Sequence, residues 1–497
     1  MASIATTENY PPLIRALISD AACYDHPVDK IELIATHISW LLLTGSYVYK
    51  IKKPVNFGFL NFSTLALRER DCLDELRLNQ RLAADVYLEV VAITGSLDSP
   101  HIKGGGEIIE YAVKMRQFPR DATLDKLAER GELGALQIDA LAARLAHFHQ
   151  HECEVALADS PWGEPDLIAQ PTEENFKTVA TRLDDAAEIQ RLARLHNWCQ
   201  AEHAHLSPLM RERKKNGLIR ECHGDVHLAN LAWVDGKLVI FDCLEFNPAL
   251  RWIDIISEVA FCYMDLLHRN FAGLAARFLN AWLAATGDYA GMALLRYYAV
   301  YRAMVRAKVA VLRAEQGCST RRAEVTACLQ LAEQLSRAVP LYVWITHGLS
   351  GSGKTTLSQQ LLEKYALIRL RSDVERKRVA GLEALTRSRE KDELYTAQAS
   401  RRTYQHLACL TENLLVAGWP VIVDAAFLDR DQRDLFRDLA LRLGVDFKIL
   451  DIQADQEILR ERVMQRQIDG GDASEANLII LNQQLANYNP LDVDELS

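Results

Sequence analysis

The stretch Glu221–Cys243 reads E-C-H-G-D-V-H-L-A-N-L-A-W-V-D-G-K-L-V-I-F-D-C, and its spacing sets the reading of what lies on either side. His223, Asp225 and Asn230 form an H-x-D-x-x-x-x-N run, and downstream an apolar strand over Lys237 to Phe241 ends on Asp242. The chemistry that needs this set is phosphoryl transfer. Asp225 is placed to accept the proton of an attacking hydroxyl, while Asn230 and Asp242 offer hard oxygens to Mg²⁺ on the phosphates of ATP. The Val-Asp-Gly-Lys sequence at 234–237 is a turn, and a hairpin brings its two ends side by side, within reach of one ion. The competing reading is an Asp-rich hairpin around a buried histidine; a His, two Asp and an Asn seldom meet at these offsets by chance.

The offsets are those of a kinase catalytic loop, with two departures. Gly224 stands where protein kinases have Arg, and Phe241-Asp242-Cys243 has no Gly after the Asp. In its His-Gly-Asp-x-His-x-x-Asn form the segment resembles the aminoglycoside phosphotransferase-like kinases. The resemblance implies a strand lysine on the α/β-phosphates and a helix glutamate that orients it. Ile31 to Leu43 and Tyr47 to Lys52 read as strands joined at Thr44-Gly45-Ser46, and the second ends V-Y-K-I-K-K. Lys50 occupies the implied position, but alternation puts Lys52 on the same face, so either fits. A charged helix over about Ser63 to Ala83, patterned by Leu73, Leu76 and Leu82, carries Glu75 at the matching place, with Glu69 as its alternative.

Around these, residues 8–24 read as a lone amphipathic helix with Leu13, Leu17 and Ile18 on one side. Val86 to Ile93 and Glu107 to Met115 read as further strands of a small antiparallel lobe, and Met115 to Pro119 as the hinge by analogy. Gly104-Gly105-Gly106 has no helix after it and reads as a hairpin turn rather than a phosphate loop. From Thr123 the pattern is helical, with Leu124, Leu127, Leu133, Leu136, Ile138, Leu141 and Leu145 expected in a core. His147, His149 and His151 end one helix without the Glu of an H-E-x-x-H motif, which favours solvated or capping roles over a metal. Arg251 to Asp254 opens an apolar helix, and the kinase-like analogy gives Asp254 the backbone of the catalytic loop to hold. Glu245 is read as a surface acid or as a contact to a second metal or cationic substrate. Later helices carry Tyr297, Tyr298 and Tyr301 beside Arg302, Arg306, Lys308 and Arg313, read as a core stripe beside a solvated face, with a contact surface for the next domain as the alternative.

Pro340 breaks the helical pattern, and Leu341 to Thr346 is a buried-type strand. It runs into Gly348-Leu349-Ser350-Gly351-Ser352-Gly353-Lys354-Thr355, then Thr356 and an apolar helix. This is G-x-x-x-x-G-K-[ST] in its strand–loop–helix context, the most specific signal in the chain. Glycines let backbone N–H groups curl around phosphate at a helix N-terminus. Lys354 would bridge the β/γ-phosphates and Thr355 would ligate Mg²⁺. A strand over Leu367 to Leu370 leads to Arg371-Ser372-Asp373; in the small P-loop kinases that this order resembles, an Asp at the place of Asp373 acts as general base or holds the acceptor hydroxyl, and Arg371 would grip an anionic acceptor. The strand Val421 to Val423 ends in Asp424, a metal-binding position, with Arg430 and Arg433 after it. Past a strand at Phe447 to Ile452, Arg460, Arg462 and Arg466 suit either a lid over the transferring phosphate or surface ion pairs, with Arg462 and Arg466 taken as the ATP contacts. Residues 340–497 resemble the small kinases grouped with gluconate kinase, the polynucleotide kinase 5′-kinase domain and zeta-toxin-like kinases.

The composition fits. The chain has 497 residues, 49% apolar and 25% charged, with net charge −10. Neither half is basic, which argues against extended nucleic-acid binding as the main task. Ten cysteines without a C-x-x-C pair suit reduced thiols, and no signal peptide or membrane-length apolar run stands out, so a cytoplasmic protein is expected. The expectation is an α+β bilobal protein-kinase-like domain over 1–338 (small lobe about 25–118, large lobe about 119–338). An α/β P-loop NTPase domain with a parallel sheet follows over 339–497. The whole resembles bacterial fusions of an aminoglycoside phosphotransferase-like domain with a P-loop kinase. That implies two sites for ATP and Mg²⁺ and hydroxyl acceptors on small molecules. The open alternatives are a sensor role for the first domain, a macromolecular acceptor, and a non-enzymatic ATP-gated module.

Overall fold

The computed structural model describes residues 10–57, 60–314, 321–382, 396–469, 477–486 and 488–495. Its contacts group the chain into two compact units. The first takes residues 1–133, 151–167 and 211–258; the second takes 134–150, 168–210 and 259–497.

In the first unit, β1 (Glu32–Ala35), β2 (Ser39–Leu43), β3 (Tyr47–Lys52), β4 (Tyr87–Ser96), β5 (Ser99–Ile102) and β6 (Ile108–Arg116) form an antiparallel sheet ordered β1-β2-β3-β6-β4-β5. Helix α1 (Pro12–Ser19) puts Leu13, Ile14 and Leu17 against Tyr49 and Ile51 on one face. Helix α2 (Leu65–Ala83), N-capped by the Thr64 hydroxyl, packs Cys72 against Val86, Val113 and Met115 on the other, with Val48 beside them. Successive β3 side chains alternate between faces, so Lys50 and Lys52 share the Val48 side and turn toward α2.

Three expectations change here. The single strand expected over Ile31 to Leu43 is a hairpin, because the Thr36 hydroxyl accepts from the backbone N–H groups of Ile38 and Ser39 and turns the chain. Of the helix expected over 8–24, residues 8 and 9 lie outside the described residues, and α1 stops at Ser19, since Asp20 accepts from Ala22 N–H and starts a short 3₁₀ turn. Strand β5 was not foreseen, and Gly104 to Gly106 turn the chain between β5 and β6.

Beyond the sheet, β7 (Ile219–Glu221) pairs antiparallel with β10 (Trp252–Asp254), and β8 (Leu231–Val234) with β9 (Lys237–Ile240). Asp235 and Gly236, at φ 50° and 75°, make the β8–β9 turn with two left-handed residues, the pattern that matches strand twist. The second unit holds β11 (Tyr342–His347), β12 (Ile368–Arg371), β13 (Val421–Asp424) and β14 (Asp446–Asp451), all parallel in the order β12-β13-β11-β14.

Helices that precede Pro340 complete the core of this parallel sheet. Helix α3 (Ala272–Thr286) sends Ala276 into the cluster of Leu362, Leu367 and Ile422. Asn280 on α3 donates to Leu367 O at 2.8 Å and accepts from Arg369 N–H at 2.6 Å, clamping the start of β12. On α4 (Met292–Ala314), Met292 O accepts from the Trp419 indole at 2.9 Å and Arg296 lies over that ring. Tyr297 and Tyr298 are buried as the stripe required, but so is Arg302, stacked on Phe261 rather than solvated. Leu136, assigned to the apolar stripe, is 66% exposed. Among the described residues no helix is long and apolar enough to cross a membrane.

Candidate active sites

In the first unit the loop after β7 gathers the predicted residues through its own backbone. His223 is fully buried; its Nδ1 accepts from Asp225 N–H at 3.2 Å, leaving Nε2 to donate to Phe241 O at 2.9 Å. Burial lowers the His223 pKa, and the neutral ring is what this donor–acceptor pattern needs. Asn230 donates through Nδ2 to Asp225 O and to Asp225 Oδ2, at 3.0 and 2.9 Å, which turns its Oδ1 away from Asp225. Phe241 N–H donates to Asn230 O at 3.0 Å, so Asn230, just before β8, and Asp242, just after β9, lie at one end of the hairpin. Asp242 has φ 65°, uncommon for a non-glycine residue, and its side chain is half-exposed.

Lys50 faces this carboxylate. Its Nζ lies 2.7 Å from Asp242 Oδ1 and 2.7 Å from Glu75 Oε1. The choice between Lys50 and Lys52 resolves into two neighbouring pairs, since Glu75 Oε2 lies 2.8 Å from Lys52 Nζ, which also holds Glu245. Burial by itself would raise the Glu75 carboxyl; the two lysines outweigh it and hold it at about 2. Glu245 is buried against Lys52, neither a surface acid nor turned to solvent, and burial pushes its carboxyl up.

Sequence reasoning missed how α2 holds both ends of the loop. Arg77 makes a bidentate pair with Glu221 at 2.9 and 3.0 Å, and Arg81 reaches Glu221 O and Cys222 O. Asn79 accepts from Cys243 N–H at 2.9 Å. The i, i+4 spacing of Arg77 and Arg81 was the visible signal, and nothing named their partner. Asp254 corrects an expectation: it pairs with Arg213 at 2.7 and 2.8 Å, and Glu258, one turn on, accepts from Gly224 N–H at 2.6 Å. His149 corrects another, being buried and accepting from the Trp282 indole.

In the second unit β11 delivers the chain into the loop Gly348–Thr355, and helix α5 (Lys354–Tyr365) leaves it. Gly348, Gly351 and Gly353 have φ 146°, 88° and 103°. A Cβ on Gly348 would lie 2.3 Å from Ile452 O, and one on Gly351 2.9 Å from Leu459 O, so side chains are excluded where the loop curls. Lys354 Nζ lies over the loop, donating to Gly348 O and Leu349 O at 2.9 and 2.8 Å. Ser352 Oγ is buried without a hydrogen-bond partner. A glycine cradle, an orphan hydroxyl and a lysine over them fit a phosphate group.

The loop opens on a cleft of about 1450 Å³ lined from Ser350 through Thr356 and by Arg371, Asp373, Arg376, Asp424 and Arg462. Thr355 and Asp424 therefore share one cleft, and Asp424 Oδ2 accepts from the Ser358 hydroxyl at 3.1 Å. Arg369 lies beneath, 3.3 Å from Ser358 Oγ, its pKa lowered by burial to about 10. Asp373 sits on the first turn of α6 (Ser372–Val379) rather than at a strand end. Arg462, on α7 (Gln456–Asp469), donates to Gly351 O at 3.2 Å. The side chain of Arg466, on the same helix, lies outside the described residues. Arg430 and Arg433 are committed elsewhere, to Asp494 and Glu495.

An acid–amide loop beside a buried Lys–Glu pair, and a glycine cradle closing on a lysine, define a kinase-like phosphotransferase carrying a P-loop. The chain belongs to the phosphotransferase enzyme family, which it matches over residues 45–295, while residues 343–491 match an AAA domain. It is 29% identical over 461 residues to the uncharacterized proteins Mb2027c of Mycobacterium bovis and Rv2004c of Mycobacterium tuberculosis, covering 92% of this chain and 91% of each relative. A choline/ethanolamine kinase family protein from Mesorhizobium loti covers 62% of this chain and 88% of its own at 11% identity, with a TM-score of 0.39. A sugar kinase from Janibacter covers 32% and 82% at 22% identity, with a TM-score of 0.24.

Proposed function

We propose that the chain is an ATP- and Mg²⁺-dependent phosphotransferase with two nucleotide sites, moving the γ-phosphoryl group to a hydroxyl of a small molecule. The observation that carries it is the assembly of Asp225 with Asn230 at the hairpin end where Asp242 meets Lys50 of the Lys50–Glu75 pair. Bound Mg²⁺ would neutralise phosphate charge, held by Asn230 and Asp242 in the first unit and by Thr355 and Asp424 in the second. Asp225 takes the acceptor proton in the first unit. Its second oxygen is held by Asn230 and its approach by neutral His223. Lys50 grips phosphate oxygens, and Glu75 keeps its amine aimed. In the second unit the loop amides, Lys354 and Arg462 bind the phosphates, and Asp373 receives the acceptor proton. The work is positioning and charge neutralisation, since phosphoryl transfer needs little covalent help.

The test is a metabolite extract incubated with ATP, Mg²⁺ and the purified chain, read by gain of a phosphoryl mass, alongside Asp225→Asn and Lys354→Ala variants. Phosphorylated products that vanish separately with each variant support two active sites. Loss only with Lys354→Ala sinks the first site as a catalyst, and labelling of RNA ends or protein alone sinks the small-molecule acceptor.

A further inference from the structure

Two lysines, two residues apart on one strand, converge on one glutamate, and the kinase-like reading uses only one of them. Glu75 gives Oε1 to Lys50 and Oε2 to Lys52, each below 3 Å. The surroundings of the two amines differ. Lys50, itself 10% exposed, also meets Asp242, whose side chain is 49% exposed, so one of its two partners is reached by solvent. Lys52 is 1% exposed, with its Nζ 4.9 Å from the centre of the Phe62 ring and its remaining acceptor, Glu245, buried as well. Glu245 lies three residues past Asp242.

The main-chain N–H groups of the segment between them each find an acceptor. Asp242 N–H donates to the Tyr87 hydroxyl, Cys243 N–H to Asn79 Oδ1 and Leu244 N–H to His223 O, at 3.1, 2.9 and 3.2 Å. After that the Arg251 guanidinium donates to Glu245 O at 2.8 Å and the Glu245 carboxylate turns back to β3. Asp242 itself is in the left-handed region, a conformation that persists only where its surroundings over-determine it.

We propose that Lys52 and Glu245 are positioning residues, a second lysine–glutamate pair that fixes the metal-binding segment at Asp242 while Lys50 stays free to exchange Asp242 for phosphate. The inference rests on the reading of this unit as a nucleotide–Mg²⁺ site. Lys52 keeps Glu75 in place through Oε2 when Lys50 moves, and Glu245 ties the Asp242 segment to the same strand. A buried ion pair of this kind contributes little to stability compared with neutral residues of similar size, so a positional role separates from a stabilising one. Groups that orient metal-binding residues typically alter metal affinity 10- to 100-fold when changed.

The experiment uses the full chain with Lys354→Ala to silence the P-loop, and titrates a fluorescent ATP analogue at graded Mg²⁺. Lys52→Met with Glu245→Gln removes both charges together. The expected result is a Mg²⁺ requirement for half-maximal binding raised about tenfold, with metal-free analogue affinity and melting temperature near the parent's. An unchanged Mg²⁺ requirement overturns the proposal, as does an equal loss of affinity with and without Mg²⁺. Glu245→Asp, which keeps the charge and withdraws the carboxylate by one methylene, gives the same shift in smaller measure. Should the double variant not fold, an unshifted Glu245→Asp overturns the proposal alone. If the Lys354→Ala parent binds no analogue, the nucleotide reading of the first unit falls and takes this inference with it, an outcome separate from the others.

Discussion

In the first unit the residues that would meet a nucleotide come from four separated stretches: Lys50, Glu75, Asp225 with Asn230, and Asp242. In the second, eight consecutive residues from Gly348 to Thr355 form most of the cradle. Lys50 and Asp242 are 192 positions apart and meet at 2.7 Å, so the first site exists only when sheet, helix and hairpin are all in place. The P-loop is local: its shape follows from glycines where a Cβ would strike backbone, and its donors are main-chain groups. A site of side chains is tuned by charge, one of backbone by space. Single substitutions should therefore hurt the two in different ways.

The largest effect expected is on catalysis in the first unit. Asp225→Asn preserves shape and removes the proposed base, and the phosphoryl transfer proposed there should fall by about 10²–10⁴-fold with nucleotide binding in the second unit unchanged. An isotope-transfer assay with calorimetric binding reads both, and equal losses in both units would break the contrast.

Next comes a buried pair that ties the chain end into the second unit. Arg433 and Glu495 are both fully shielded, with Nε–Oε1 at 2.7 Å. Glu495→Gln leaves the guanidinium uncompensated and should cost about 3–5 kcal/mol in denaturant unfolding. Arg433 first, then burial working against it, leaves the Glu495 carboxyl lowered to about 2. Its stabilising contribution is present above the ordinary value near 4.5 and is lost as pH falls toward 2. Between those limits the parent should lose more stability than Glu495→Gln, read as converging melting curves.

Gly348→Ala tests space against charge. The new methyl meets Ile452 O, and the variant should lose about 1–3 kcal/mol and, of the two nucleotides proposed per chain, the one in the second unit. Retained stoichiometry of two would deny that backbone shape governs that site. The smallest effect is at α2, where Thr64→Ala removes the N-cap at 3.3 Å from Leu67 N and should cost about 1 kcal/mol. Because α2 also carries Glu75, Arg77, Asn79 and Arg81, any accompanying loss of affinity should fall on the first unit alone.

Short-range patterns carried much of this molecule from the page to the fold. The Asp235-Gly236 turn, the strand–loop–helix at Gly348, the alternation that puts Lys50 and Lys52 on one face and the four strands of the parallel sheet could all be read. Each depends on neighbours within a few residues. Where a reading failed, a local competitor or a distant partner decided. The Thr36 hydroxyl broke one strand into two, and Glu258 rather than Asp254 reached Gly224.

By itself the sequence determined the class: a catalytic-loop spacing and a phosphate loop state their chemistry in residues that stand close together along the chain. Only the tertiary structure decided which lysine faces Asp242 and which lies sealed against Glu245, and that Asn280 and Met292 brace the sheet bearing the P-loop. Side-chain alternation fixes a face but not a partner. Partners are chosen by packing between stretches far apart, which no local pattern records.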